Sequence, residues 1–318
     1  MSSTTTPRSG PSVRPPAGGA GTVSRQLWTL LRLHRAAVWT WAAFVVITAA
    51  VMLWLRFGPY GTEAAQYQAG CGTPGQRPCN QMPFWEDGAI ALRLFGAGVE
   101  NVAVLLRNLA PVIAAWAGGA LIARELENGT AELAWTQSVS PVRWLAEKLA
   151  APAVLLAAGT GLLVLQLRSL LDWAGAHKLL SAGYETNDLY FAVGPAVLAH
   201  VSLGLAAGAL AAFLTRGPLA ALAVGAVATW GTSWLIDPWR TRIWPAETET
   251  GKGEGPFGFA VRPCQWDQAD HKYSVDACLG ARPASHYWPA QLTETGFVLV
   301  LAVLAAAAAF WLLRRRVP

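Results

Sequence analysis

The sequence predicts an all-α integral membrane protein with six transmembrane helices, and three observations carry that prediction. Only 14% of the 318 residues are charged and 53% are hydrophobic; soluble domains carry about 25% charged residues. Mean hydropathy is +0.34. The apolar residues gather in six runs, at 36–56, 103–123, 149–170, 190–214, 218–236 and 293–313. Each approaches the roughly 20 residues that cross a bilayer as a helix. The first five runs hold no acid, and the sixth has Glu294 at its start. The segment 89–99, broken by Arg93, is too short to span and reads as a re-entrant or interfacial piece.

Residues 1–22, rich in Ser, Thr, Pro and Gly, read as a disordered cytoplasmic tail. They lack a charged segment followed by an apolar one, so no cleavable signal peptide is expected. Residues 23–35 place Leu27, Leu30, Leu31 and His34 on one helical face, with Arg25, Arg32 and Arg35 mostly elsewhere. This pattern predicts an amphipathic basic helix lying in the membrane interface; an extension of the first span is the other reading. The chain ends in a basic tail, 314–318.

Lys and Arg placement sets orientation. Both tails and the 215–217 loop are basic without one acid, which puts both termini in the cytoplasm and makes 57–102 and 237–292 two larger extracellular loops. The net charge of +5 comes from basic residues scattered over loops and tails. No basic stripe with interleaved aromatics appears, so nucleic-acid binding is not expected.

All four cysteines, Cys71, Cys79, Cys264 and Cys278, fall in the loops assigned outside, where disulfides persist. Four cysteines allow three pairings, and the sequence does not choose among them. Their spacing is not that of a metal site. Trp85, Trp239, Trp244 and Trp288 in these loops suit the headgroup level, or alternatively a substrate-stacking role. The 246–256 run reads as a solvated loop.

Polar residues inside the spans are few. Arg93, Glu100 and Arg107 recur every seven residues with Asn101 and Asn108 beside them, so on a continuous helix they share a face. Glu100, Arg107 and Asn108 are therefore candidates for a polar stripe lining a pathway. Arg107 alternatively snorkels to the outer headgroups. His200 reads as a packing residue or a proton relay. Arg168 and Asp172, four apart, are expected to pair at the outer end of their helix. Gly204 and Gly208 form a GxxxG pair that suits either packing within the chain or a dimer seam.

The most informative polar interruption runs from Arg124 to Lys148, RELENGTAELAWTQSVSPVRWLAEK, between two spans. Asn128-Gly129 signals a helix stop. Thr130 is placed to cap the next helix, with Glu132 in its first turn. Ser140 caps a second piece with Pro141 at its first position. Two short helices against the membrane are expected, with Leu133, Trp135 and Trp144 facing either a partner or the inner membrane interface.

This stretch resembles the cytoplasmic loop of ABC-2 type transporter permeases, in an actinobacterial branch. The matching residues are Gly118, Leu121, Ala123-Arg124-Glu125, Glu127, Gly129-Thr130, Leu133 to Val139, Arg143-Trp144-Leu145 and Lys148-Leu149. Ala120 stands where the branch has proline, Ala131-Glu132 where it has His-Arg, and Ser140-Pro141-Val142 where it has Thr-Arg-Thr.

The resemblance implies a six-helix permease subunit in the bacterial cell membrane that works as a homo- or heterodimer and exports its cargo. A dimer of ABC ATPase subunits would dock beneath it, and Arg124, Glu125, Glu127, Gly129, Thr130, Trp135, Pro141, Trp144 and Lys148 would form the coupling loop. The chain has no GxxxxGK followed by Ser or Thr, no HExxH and no GxSxG. No cofactor is therefore expected on this chain, and ATP and magnesium would belong to the partner. A non-transporting membrane scaffold or sensor and a membrane-embedded enzyme are the alternatives.

Overall fold

In the computed structural model, the described residues are 35–70, 87–136, 140–179, 187–215, 217–243 and 287–316, with four two-residue strands in between. The helices are α1 (Arg35–Phe57), α2 (Pro59–Gly70), α3 (Asp87–Glu127), α4 (Thr130–Thr136), α5 (Pro141–Ala176), α6 (Asn187–Ala192), α7 (Ala196–Thr215), α8 (Pro218–Ile243) and α9 (Tyr287–Arg316). Six stretches are long and apolar enough to cross a membrane, as the composition predicts. The protein is a multi-pass membrane protein. The 237–292 loop also carries two small antiparallel ladders. One pairs β1 (Phe259–Ala260) with β4 (Ala281–Arg282), and the other pairs β2 (Trp266–Asp267) with β3 (Lys272–Tyr273). The tail 1–22, most of the 23–35 helix, and all four cysteines lie outside the described residues.

The bundle is built around α7. In its most apolar window 78% of residues are buried, against 22–33% in the other five spans. That contrast makes α7 the core helix and the others its wall. Large apolar side chains on the wall, such as Val46, Leu165, Leu219, Trp234 and Val303, point outward. In water such a surface would drive association; in lipid it is the matched solvent.

α3 and α8 pack closely on α7 because small residues let the backbones meet. A Cβ on Gly208 would lie 2.2 Å from the Ala115 carbonyl oxygen, and one on Gly204 would lie 2.3 Å from that of Pro111. The GxxxG pair is thus consumed inside the chain, where it holds α7 against α3. A dimer seam through these glycines is ruled out by their burial.

Three further departures from the sequence reading have physical causes. First, 89–99 is no separate interfacial piece: α3 runs unbroken for 41 residues, about 60 Å, twice the hydrocarbon thickness. Its first turns pack against α2. Second, 190–214 is not one helix. The chain breaks at Val193-Gly194-Pro195, where proline has no N–H to continue the ladder. Buried Gln291 of α9 fills the break: its Nε2 donates to the Tyr190 carbonyl at 2.5 Å and its Oε1 accepts from the Ala196 N–H at 3.4 Å. Third, Arg168 does not pair with Asp172. Its Nε donates to the Val193 carbonyl at 2.6 Å and its guanidinium lies 5.1 Å from the Trp288 ring centre.

α1 is stapled along α5. Trp41 Nε1 donates to the Leu155 carbonyl at 3.0 Å, Gln166 Nε2 to that of Ala49 at 2.9 Å, and Arg56 Nη1 to Ser169 Oγ at 3.1 Å. The bundle has two ends. The turn end holds the α3–α4–α5 turn, where Ile122, Ala131, Trp144, Leu145, Phe213 and Leu313 pack together. α9 ends there. At the far end Phe95, Val99, Leu167, Leu170, Phe191 and Tyr287 form a larger cluster.

Candidate functional site

At the turn end, α3 stops at Glu127 because Gly129 adopts φ +67, a left-handed conformation that costs glycine little. The Thr130 hydroxyl donates back to the Glu125 carbonyl at 3.3 Å. Thr130 therefore serves the end of α3 rather than capping α4. The seven-residue α4 follows, and the chain turns again at Ser140. Ser140 Oγ accepts from the Arg143 N–H at 3.4 Å with Pro141 in the first turn, the cap expected from the sequence. The second expected short helix is instead the start of α5, which continues for 36 residues.

One carboxylate organises this corner. Glu125 Oε2 accepts from Trp144 Nε1 at 3.1 Å, and Glu125 Oε1 takes the Lys148 ammonium in an ion pair. Trp144 and Lys148 are four apart on α5, so one face of that helix presents both donors to α3. Both partners of the ion pair are largely shielded, at 12% and 14% side-chain exposure. Trp135 of α4 sets its ring edge-to-face on Trp144, with centroids 5.7 Å apart. Such a pair contributes about 1 kcal/mol beyond burial. The indoles thus dock on the protein itself, welding α4 to α5 and α5 to α3.

The opposite face of the turn is free. Arg124, Glu127, Thr130, Glu132, Leu133 and Arg143 are exposed, and Leu133 is 61% exposed. Arg143 pairs with Glu147, four residues on, at 2.8 Å. The turn therefore has a rigid inner layer of Glu125, Trp135, Trp144 and Lys148 and an outer layer of charged side chains around one apolar residue.

At the far end, Arg107 is held by two carboxylates. Its Nη1 binds Asp188 Oδ1 at 3.0 Å and its Nη2 binds Asp237 Oδ2 at 2.9 Å. The guanidinium sits 4.8 Å from the Phe191 ring centre, a cation–π contact. One cation thus ties α3 to α6 and α8. Asn108 beside it accepts from Trp230 Nε1 at 3.1 Å. Glu100 is half-buried one helical repeat above and has a partner of its own. His200 is buried, its Nδ1 is 2.9 Å from the Ala196 carbonyl, and its ring stands edge-on to Phe191 at 4.7 Å. That arrangement matches a packing histidine. Sequence reasoning missed Asp188 and Asp237, which lie 81 and 130 residues from Arg107. The available signal was that a span arginine needs carboxylates at its own depth.

Among the described residues no group of three or more His, Cys, Asp or Glu can hold a metal. The two arginine links and the glutamate hub each tie one helix to another. Neither a curated protein nor a solved structure matches the chain. A family model described as "ABC-2 membrane transporter related" matches residues 42–240, from α1 through most of α8 and across the whole turn. The chain belongs to the ABC-2 membrane transporter related family.

Proposed function

We propose that this protein is the permease subunit of an ATP-driven exporter in the bacterial cell membrane, and that the Arg124–Lys148 turn is where a separate ABC ATPase pushes. The carrying observation is the two-layered turn. A solvent-facing α4 with Glu127, Glu132, Leu133 and Arg143 outward is braced from within by Glu125, Trp135, Trp144 and Lys148. A lever of this kind transmits force because its inner contacts are fixed while its outer face is open to a partner. With the turn end in the cytoplasm, the ATPase dimer binds ATP and magnesium. Its closure moves α3 and α5 together through Glu125. Two copies of the permease form the pathway, and transport is a shift between inward and outward states.

The test is co-purification with the cognate ATPase, followed by ATP hydrolysis in nanodiscs. Glu127→Arg changes only the outer face, whereas Trp135→Ala loosens the brace. The first is expected to weaken assembly. The second is expected to preserve assembly and reduce the stimulation of hydrolysis. If both variants assemble and couple as the parent does, the proposal fails.

A further inference from the structure

We propose that the groove between α5 and α9 holds one acyl chain of an anionic phospholipid, with the lipid phosphate at Arg143 and Arg314. The groove has a volume of about 410 Å³ and is lined almost wholly by apolar side chains. Its cause is in the sequence. On α5 the facing positions are Ala146, Ala150, Ala153 and Ala157, at three- and four-residue steps, and α9 answers with Ala302 and Ala306. These short side chains leave a gap in the wall. Ser202 on the floor is exposed, although it belongs to α7, the core helix. Its hydroxyl donates to the Leu198 carbonyl at 2.9 Å, so its polar hydrogen is spent within the helix. The groove is one leaflet deep. Its lining runs from Ala146 to Ala157 on α5 and, antiparallel, from Phe310 to Leu299 on α9. That stretch is about 16 Å long, half of the roughly 30 Å of bilayer hydrocarbon. A seat for a spanning helix from a second copy would run through both leaflets, whereas an acyl chain needs one.

Charge sets the head of the occupant. Arg143 lies one turn before Ala146 on α5, and Arg314 one turn beyond Phe310 on α9. The antiparallel register brings both to the turn-end mouth of the groove, and both are exposed. Next to Arg314, the Arg315 guanidinium stacks 3.9 Å from the Trp311 ring centre, a pairing suited to the headgroup level. α9 holds no acid after Glu294, and on α5 the one acid before Asp172 is Glu147. Glu147 pairs with Arg143 in an exposed contact that contributes little, so a phosphate can displace it. The residues outside the described set that adjoin this end along the chain, 1–34, 137–139, 216 and 317–318, include no Asp or Glu. Two arginines at the mouth of an apolar groove favour an anionic lipid over a neutral one.

The experiment titrates the full-length protein in detergent with phosphatidylglycerol and, separately, with phosphatidylcholine of the same chains, counting bound lipids by native mass spectrometry. A phosphatidylglycerol carrying a diazirine near its chain end is then photolysed with the protein in nanodiscs, and the labelled peptides are sequenced. Phosphatidylglycerol is expected to bind about ten-fold more tightly than phosphatidylcholine, with the label near Ala157 and Leu299, the deep end of the groove. The doubly substituted Arg143→Gln, Arg314→Gln protein should lose that ten-fold preference. Ala150→Phe, which fills the groove, should weaken both lipids several-fold. All three positions are exposed, so melting in lipid-free detergent should match the parent; should a variant fold poorly, the label on the parent protein decides. Equal affinity for the two lipids, a label away from α5 and α9, an undiminished preference in the double variant, or a dimer joined through this groove that Ala150→Phe abolishes overturns the proposal.

Discussion

At the far end, Arg107, Arg168 and Gln291 each cross between helices: to Asp188 and Asp237, to the Val193 carbonyl, and to both sides of the α6–α7 break. At the turn end, among the described residues, the charged crossing is made by Glu125, from α3 to α5. The far-end links are spread over α3, α5, α6, α7, α8 and α9, and several reach backbone carbonyls that a break or a helix end leaves open. The turn-end link is one side chain receiving two donors from one helix. The difference teaches where each end can move. A push at the turn carries α3 and α5 as a pair. Any separation of the far end must part Arg107 from two carboxylates in two other helices.

The largest effect is expected from Arg107→Leu, which leaves Asp188 and Asp237 facing each other without their cation. Breaking a buried pair by removing one partner costs 3–5 kcal/mol. These groups are partly exposed, so a loss of about 2–3 kcal/mol is expected, read as a lower melting temperature in detergent. Adding Asp188→Asn and Asp237→Asn should recover much of it. Transport unchanged by Arg107→Leu at normal expression would show that the far end opens without parting this link. Gly208→Ala probes the middle of the bundle. Its Cβ meets backbone 2.2 Å away, so α7 must shift off α3 at a cost of about 2 kcal/mol, visible as faster hydrogen exchange along both helices.

Glu125→Gln is expected to cost less, about 1–2 kcal/mol. The amide oxygen still accepts from Trp144, but the amide NH2 then faces the Lys148 ammonium, so both the charge and the hydrogen bond opposite Lys148 are lost. The ATPase assay should be more sensitive to it than melting is, because the hub lies on the proposed force path. The smallest effect belongs to Arg143→Ala. It removes an exposed pair four residues apart, which stabilises by less than about 0.5 kcal/mol, so melting should not change measurably. A large destabilisation by Arg143→Ala would mean that the outer layer of the turn is structural after all.

The six spans were legible because lipid demands long apolar runs, and the turn because Gly129 and Ser140-Pro141 are local signals. What stayed hidden was long-range. The 89–99 segment, broken by Arg93, reads as too short to span, yet it forms the first turns of the 41-residue α3, where Arg93 is exposed. Gly194-Pro195 was a readable break, masked by the hydropathy on either side. The partners of Arg107 and Arg168 were invisible because they come from distant helices at matching depth, a relation that spacing along one helix does not encode. Within the turn, spacing along the chain does not encode the layering. Glu125, Trp135, Trp144 and Lys148 turn inward, whereas Glu127, Glu132 and Arg143 turn out.

The central claim is that the outer face of the turn receives the ATPase and the inner face passes its motion on. The most direct measurement is permease-stimulated ATP hydrolysis by the reconstituted complex carrying Glu127→Arg, with melting of the isolated permease measured alongside. The account predicts a large loss of stimulation at an unchanged melting temperature, since Glu127 is exposed. Full stimulation with Glu127→Arg, repeated with Leu133→Asp, would contradict it.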